Sequence, residues 1–485
     1  MNASPSEDRS VAVIGGGITG LAAAHRLVER DAGLRVTLFE GGERLGGVLQ
    51  TIHRDGFLIE QSADNFITDP AWGVELCRRI GFDDQLIPTT TQQRGALVVH
   101  RGRLERVPAG FMLMAPARLW PLLTTPVLSP WGKLRLLGEA FVPRRLEGDD
   151  ESLGSFARRR LGREVFERIV QPLVGGIYTA DPEKLSLRAT LPRFLDMEQR
   201  FGSLVRGARR QNGSAESNEP ANAAGGARYG MFVAPRDGLS SLVDTIAARL
   251  PTGTIRLNSP VRHIKPLDGG SWHVELGGAA SGASQEFAAL IVATPAPVAS
   301  RLCQDFDAAL AMELCRIQYA GTAIVTLAFR REQIAHALDG FGFVVPAVEK
   351  RRILAGSFAS VKFAGRAPDN AVLVRVFVGG ACQSELLDLP DDQLQSLAVE
   401  ELRPLIGASG EPLFCNVTRW SGAMPQYHLG HCELVGRIEK AAAGWSNFAL
   451  AGNAYHGVGI PNCIHSGETA ADRVVAELAG GAVVS

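Results

Sequence analysis

Residues 11–21, Val-Ala-Val-Ile-Gly-Gly-Gly-Ile-Thr-Gly-Leu, decide how this chain is read. The apolar run Val11 to Ile14 has the character of a buried strand. Gly15-x-Gly17-x-x-Gly20 follows it, and a helix continues through Ala22, Ala23, Ala24 and Leu27. Backbone approaches a pyrophosphate closely only where there is no Cβ, and a helix N-terminus offers free N–H groups with a partial positive charge. A second apolar run, Val36-Thr37-Leu38-Phe39, ends at Glu40, twenty residues after Gly20. A carboxylate there can accept hydrogen bonds from ribose hydroxyls. The glycine pattern alone is weak evidence. With strand, helix, second strand and acid in order, it reads as the start of a dinucleotide-binding unit.

Two further segments bear on which dinucleotide. Glu43-Arg44-Leu45-Gly46-Gly47-Val48 follows the acid, adding a glycine pair and a fixed positive charge. A solvated turn with an incidental arginine would look much the same. The order Glu40, Arg44, Gly46, Gly47 resembles the extended FAD signature of the flavin amine oxidase superfamily. At the far end, residues 447–452 read as a strand and residues 453–459 as a polar, glycine-rich loop. Ile460-Pro461 then opens a helix that runs to Leu478. Proline is tolerated in a first helical turn. The positive end of that helix can face the pyrimidine side of a flavin and stabilise negative charge on the reduced ring.

A chain of 485 residues accommodates two or three domains with cores of their own. Its 46% hydrophobic content and net charge of −1 argue against a disordered or nucleic-acid-binding protein. Residues 1–10 are polar, so no export signal is expected. Seven cysteines, odd in number and without a C-x-x-C pair, suit a reduced, cytoplasmic protein without an iron–sulfur cluster. His428-x-x-His431-Cys432 lacks a further ligand pair, so no metal is expected there. Residues 107–145 are rich in Leu, Pro, Phe and Trp. Arg118, Lys133, Arg135, Arg144 and Arg145 supply their charge, and Glu139 is the only acid. That stretch reads equally as a peripheral membrane contact on the inner face, a shelter for an apolar ligand, or an ordinary helical face. Residues 209–228 lack apolar periodicity and read as a mobile loop.

Beyond the flavin motifs, the chain resembles the oxygen-dependent porphyrinogen oxidases of haem synthesis, the coproporphyrinogen III and protoporphyrinogen IX oxidases. The matching blocks run nearly end to end: residues 176–187 (Gly-Ile-Tyr-Thr-Ala-Asp-Pro-Glu-Lys-Leu-Ser-Leu), 197–199, 340–346, 363–368, 377–381, 425–431 and 457–464. The last two are specific and would not be expected together in a generic amine oxidase. The resemblance implies FAD contacts at Gly15, Gly16, Gly17, Ile18, Thr19 and Gly20, at Glu40 and Gly41, and at Arg44, Gly46, Gly47 and Val48. It places Ser62, Ala63, Asp64 and Asn65 beside the flavin ring, Val261 at the adenine, and Asn453, Val458, Gly459 and Ile460 around the pyrophosphate and ring. Gly176, Val344, Ser357 and Phe377 would line an apolar slot for a flat macrocycle.

The implied reaction is a six-electron oxidation of a porphyrinogen in three flavin cycles, with oxygen as acceptor and peroxide as product. No Ser/His/Asp or paired-carboxylate constellation stands out in the sequence. Asp64 is the one flavin-side candidate for a base, and a carboxylate bonded to loop N–H groups is the favoured alternative. Ala96 stands where protoporphyrinogen enzymes carry a propionate-clamping arginine, and Asp64 matches the coproporphyrinogen form of its loop. Both lean the reading to coproporphyrinogen III, with protoporphyrinogen IX as the alternative. Another flavin amine oxidase or desaturase, and a flavin-containing tetrapyrrole carrier without turnover, are remoter. Porphyrinogen and oxygen are the expected partners, with hand-over of product to the next enzyme of the pathway. The expected architecture is α/β. A discontinuous Rossmann-like FAD-binding domain (1–90, 229–300, 436–485) joins a mixed α+β substrate domain (91–106, 301–435) and a helical subdomain (107–208).

Overall fold

The computed structural model describes residues 9–91, 95–116, 120–145, 148–214, 231–278 and 282–480. Strand Ser10–Ile14 lies at the centre of a five-stranded sheet, between Arg35–Phe39 and Ala289–Val292. Ile255–Arg256 and Phe448–Leu450 form the edges, and every pairing is parallel. The central strand is buried along its whole length, which is why its sequence shows no polar alternation. Helices Ile18–Arg30 and Ile460–Leu478 pack together on one face through Leu21, Ala24, Ile464 and Val474. Trp272, Phe306 and Phe448 pack edge to face or tilted in the core against the opposite face.

A seven-stranded sheet stands beside this layer. Its order is Phe414–Pro425, Tyr319–Arg330, Ala371–Gly379, Ala355–Phe358, Gly342–Val344, Leu97–His100, Arg103–Arg106. Only Gly342–Val344 and Leu97–His100 pair in parallel. One face buries Val374 and Val376 against Leu394 and Leu402 of helix Asp391–Ile406. Strand alternation turns the next set of residues to the other face. There Val98, Val344, Ala355, Phe377 and Ile324 form one cross-strand row. Ser357 and Arg375 pair in the neighbouring row.

A mostly helical unit covers that second face. It includes Pro130–Leu137, Leu153–Leu161, Gln171–Tyr178, Pro192–Phe201 and Leu204–Ser214. Two expectations need correction here. Residues 111–116 are not helical but form a short antiparallel pair, Phe111–Met112 with Ala115–Pro116, turned by Leu113 at φ 55°. Residues 209–214, read as part of a mobile loop, continue a helix nucleated by the buried Leu204 and Ala208. Arginine and glutamine are good helix formers and carry it on without an apolar period. The rest of that stretch lies outside the described residues, as does Arg118.

The lone acid of the basic stretch has an internal role. Glu139 and Arg160 are fully buried and bonded to each other. Glu139 also accepts from Leu204 N at 3.0 Å and Ser203 Oγ at 2.5 Å. Arg135 donates to the Arg159 and Arg160 carbonyls, Arg144 to that of Gln199, and Arg145 faces Glu151 at 3.7 Å. Apolar side chains face solvent instead. Trp131, Leu134, Leu137 and Phe141 recur every three or four residues, and Trp131 is 79% and Phe141 85% exposed.

Glu60, at the end of strand Phe57–Glu60, caps a helix from a distance. Gly238 precedes helix Leu239–Ala248 and has no side chain to cap it. Glu60 accepts from Leu239 N and from Thr51 Oγ1, both at 2.8 Å. Burial dominates and pushes its carboxyl up from the ordinary 4.5 to about 7, against those two bonds and the charges of Arg375 and Arg366. A carboxyl whose pKa is raised on folding stabilises the fold fully below its unfolded value. That stability is lost as pH rises through the folded value. The expected outcome is a urea midpoint that falls between about pH 5 and about pH 8 in the wild type, and less steeply in Glu60→Gln.

Candidate functional site

The turn after the first strand is shaped by contacts that only glycine permits. Gly15 leaves the strand at φ 109° and donates to Phe39 O at 2.8 Å. A Cβ on Gly20 would lie 1.9 Å from the Gly15 carbonyl oxygen. At Gly17 a Cβ would meet nothing within 4 Å. Helix Ile18–Arg30 begins just there with no side-chain cap. Open space at an uncapped helix N-terminus fits the pyrophosphate of FAD. Glu40 accepts from Gly16 N and Gly42 N, both at 2.7 Å, and so fixes the turn from the second strand. Gly46 N bonds Gly16 O at 2.8 Å, and Arg44 braces residues 45–49 by donating to the Leu45, Gly47 and Leu49 carbonyls. Gly47 lies beside Gly17, and the exposed Val48 follows. Gly41 packs on Pro260, next to Val261, the residue expected at the adenine.

The C-terminal segment reaches the same place. A Cβ on Gly467 would stand 2.2 Å from the Thr19 carbonyl oxygen, so the first and last helices touch backbone to backbone. Gly459 precedes helix Ile460–Leu478 without a side-chain cap. Phe66 and Pro461 both pack against Gly73, which brings the chain after Asn65 to the start of that helix. The loop from Asn453 to Val458 is clamped by Tyr427. Its hydroxyl donates to Asn453 O at 2.6 Å and accepts from Gly457 N at 2.8 Å, while its ring stacks on His431 at 4.0 Å. The two most specific blocks of sequence, 425–431 and 457–464, are thus one structural device.

Asp64 belongs to a buried ion cluster. Its carboxylate lies 3.1 Å from Lys362 Nζ and 3.4 Å from Arg375 Nη1, and it touches the Asn65 amide. Burial alone would raise its pKa, but Lys362 and Arg375 outweigh burial and hold the carboxyl at about 2. Such a group is a permanent counter-charge and a poor base near neutral pH. Arg375 also donates to the Ser62 carbonyl, so the Ser62–Asn65 segment is pinned to the seven-stranded sheet. Gln61 accepts from Thr418 and Asn416 of the outer strand.

Three of the four expected substrate residues lie on that sheet. Val344 and Phe377 share a row, separated by Ala355, and Ser357 pairs with Arg375 one row away. Gly176, in helix Gln171–Tyr178, comes over them, and its Cβ would be 3.6 Å from Val344 Cγ1. Phe377 carries the Arg375 guanidinium 5.4 Å from its ring centroid. Ala96 lies just before strand Leu97–His100, two residues from Val98, and its carbonyl accepts from Val107 N at 3.0 Å.

The model of the family described as flavin containing amine oxidoreductase matches residues 18–475. The chain belongs to the flavin-containing amine oxidoreductases. Within that family it groups with the porphyrinogen oxidases. It is 36% identical to coproporphyrinogen III oxidase of Propionibacterium freudenreichii subsp. freudenreichii, over 97% of this chain and 92% of that one. It is 29% identical to the mitochondrial protoporphyrinogen oxidase of Nicotiana tabacum, over 98% and 96%. Among solved structures, a putative protoporphyrinogen oxidase from Exiguobacterium sp. 255-15 superposes with a TM-score of 0.84 at 30% identity, covering 96% of this chain and 98% of that one. FAD is therefore the cofactor of this oxidoreductase.

Lys362, Arg375 and Tyr427 escaped the sequence reading as individual functional residues. Lys362 and Arg375 are far from Asp64 in sequence, and no local spacing links them. Tyr427 stands in a quoted block, but its role depends on a loop that follows it. The flavin cradle predicts two unlike outcomes. Gly17→Val should give folded protein that lacks flavin absorbance and melts at the lower temperature of the cofactor-free state, because its side chain enters open space and meets no protein atom. Gly20→Val should fail to give folded protein, because its side chain meets backbone.

Proposed function

We propose that this chain oxidises coproporphyrinogen III to coproporphyrin III with FAD and oxygen. The carrying observation is the sheet face that presents Val344, Phe377 and Ser357 beneath Gly176, with Arg375 in the same face tied to Ser62 and Asp64. It offers a flat, mainly apolar wall reaching the flavin-side segment. Bound FAD supplies the hydride acceptor and, by reaction with oxygen, its own reoxidation. The chain's residues orient the macrocycle and set the local charge. Lys362 and Arg375 against Asp64 leave one net positive charge beside the ring. The start of helix Ile460–Leu478 adds a partial one, so both favour an electron-rich cofactor.

Full-length similarity to coproporphyrinogen III oxidases supports the four-propionate substrate, as does Ala96. Ala96 supplies no cation at that position of the chain. Protoporphyrinogen IX is the second reading, favoured by the plant relatives. The expected result is a higher kcat/KM for coproporphyrinogen III. Ala96→Arg should shift the ratio toward protoporphyrinogen IX by about tenfold, the effect of one charge-assisted hydrogen bond. Initial rates of porphyrin fluorescence check this, and a wild type that prefers protoporphyrinogen IX overturns the substrate assignment.

Among the described residues no helix is long and apolar enough to cross a membrane. We infer a peripheral contact through Trp131, Leu134 and Phe141, since the arginines nearby are engaged with carbonyls and Glu151. Co-sedimentation with anionic vesicles should then survive high salt. Trp131→Ala together with Phe141→Ala should weaken it by about tenfold or more, as expected for losing two buried aromatic anchors.

A further inference from the structure

Residues 426–429 hold two parts of the molecule at once. Their backbone grips the chain that follows the helix over the substrate sheet. Tyr427 O accepts from Ser186 N at 2.8 Å, Leu429 N donates to Lys184 O at 2.9 Å, and Leu185 pairs antiparallel with His428. Gln426 reaches further back and donates at 3.4 Å to Tyr178 O, at the end of helix Gln171–Tyr178. That helix carries Gly176, where a Cβ would lie 3.6 Å from Val344 Cγ1 on the sheet.

The Tyr427 side chain grips the loop before the last helix. Its hydroxyl bridges Asn453 O and Gly457 N at 2.6 and 2.8 Å. Burial raises its pKa above the ordinary 10, so it keeps the proton it donates. The residue is 2% exposed, and hydrogen bonds shielded from water are the stronger for it. His431, on which the ring stacks, adds a further hold through Nε2, 3.1 Å from Tyr455 O. Val458, next in the loop, packs like Val344 against the core that contains Tyr427. A loop held at Asn453, Tyr455 and Gly457 shifts with the segment that holds it, because interiors are close-packed.

We propose that Tyr427 is a positioning residue, which makes the loop at the flavin and the helix over the porphyrinogen move as one body. The inference rests on the proposed function in taking that helix as the substrate cover. Transfer between two bound groups is steep in their separation, and a misplacement of about 1 Å costs about a hundredfold. Tyr427 fixes the two walls relative to each other. Its hydroxyl, already bonded twice, takes no part in the transfer itself.

The test compares FAD-loaded wild type with FAD-loaded Tyr427→Phe, which keeps the ring and its stacking on His431. Hydrogen exchange is followed by mass spectrometry with and without coproporphyrin III. Bound porphyrin should slow exchange in residues 171–187 of both proteins. In residues 453–459 it should slow exchange only in the wild type, by about tenfold, the effect of one buried hydrogen bond. Anaerobic flavin reduction by coproporphyrinogen III should also slow about tenfold in the variant, while reoxidation by oxygen keeps its rate. A hydroxyl that merely adds stability would leave the exchange pattern and both half-reactions as in the wild type. Equal protection of the loop in both proteins, no protection of it in the wild type, or unchanged flavin reduction overturns the role of Tyr427 alone. A porphyrin that slows exchange nowhere overturns the proposed function, and this inference with it.

Discussion

The backbone contact between the first and last helices is the constraint on which the cofactor site depends. Gly467 must lie against the Thr19 carbonyl, and a single methyl group there would force the helices apart. This approach packs the helix that begins at Ile460 against the one that begins at Ile18, so two helices from opposite ends of the chain form one unit. Interiors are close-packed, and a shift of one helix is passed on to what it supports. The Tyr427 clamp on Asn453 and Gly457 then couples this pair of helices to the substrate side.

The second organising device is electrostatic. Asp64, Lys362 and Arg375 come from three separate stretches and meet in a nearly dry place. Buried charges persist only when paired, and removing one partner leaves the others uncompensated. The cluster therefore fixes the flavin-side segment to the sheet that carries Ser357 and Phe377. It also keeps Asp64 ionised through the physiological range, which suits a chemistry driven by the cofactor rather than by a side-chain base.

A basic, apolar stretch invites the picture of arginines reaching a charged surface. In the fold Arg135 and Arg144 donate to carbonyls near helix ends and Arg145 faces Glu151, while Glu139 neutralises Arg160 in the core. Trp131 and Phe141 are left outside. Carbonyls at helix C-termini lack intrahelical donors, and long basic side chains satisfy them when the geometry allows.

Much of the cofactor half was legible in the linear sequence, because its determinants are local. A strand, three glycines and an acid at fixed spacing need only their own turn geometry. A proline after a glycine-rich loop likewise marks where the last helix begins. The four residues expected to line the substrate slot could be picked out only through family resemblance, since Gly176, Val344, Ser357 and Phe377 share no spacing. Tertiary structure alone decided the rest: that Asp64 is paired twice over and that Tyr427 clamps a later loop. Pairing and desolvation are properties of space rather than of sequence. They depend on sheet register and on which helix covers which face, and residues hundreds of positions apart set both.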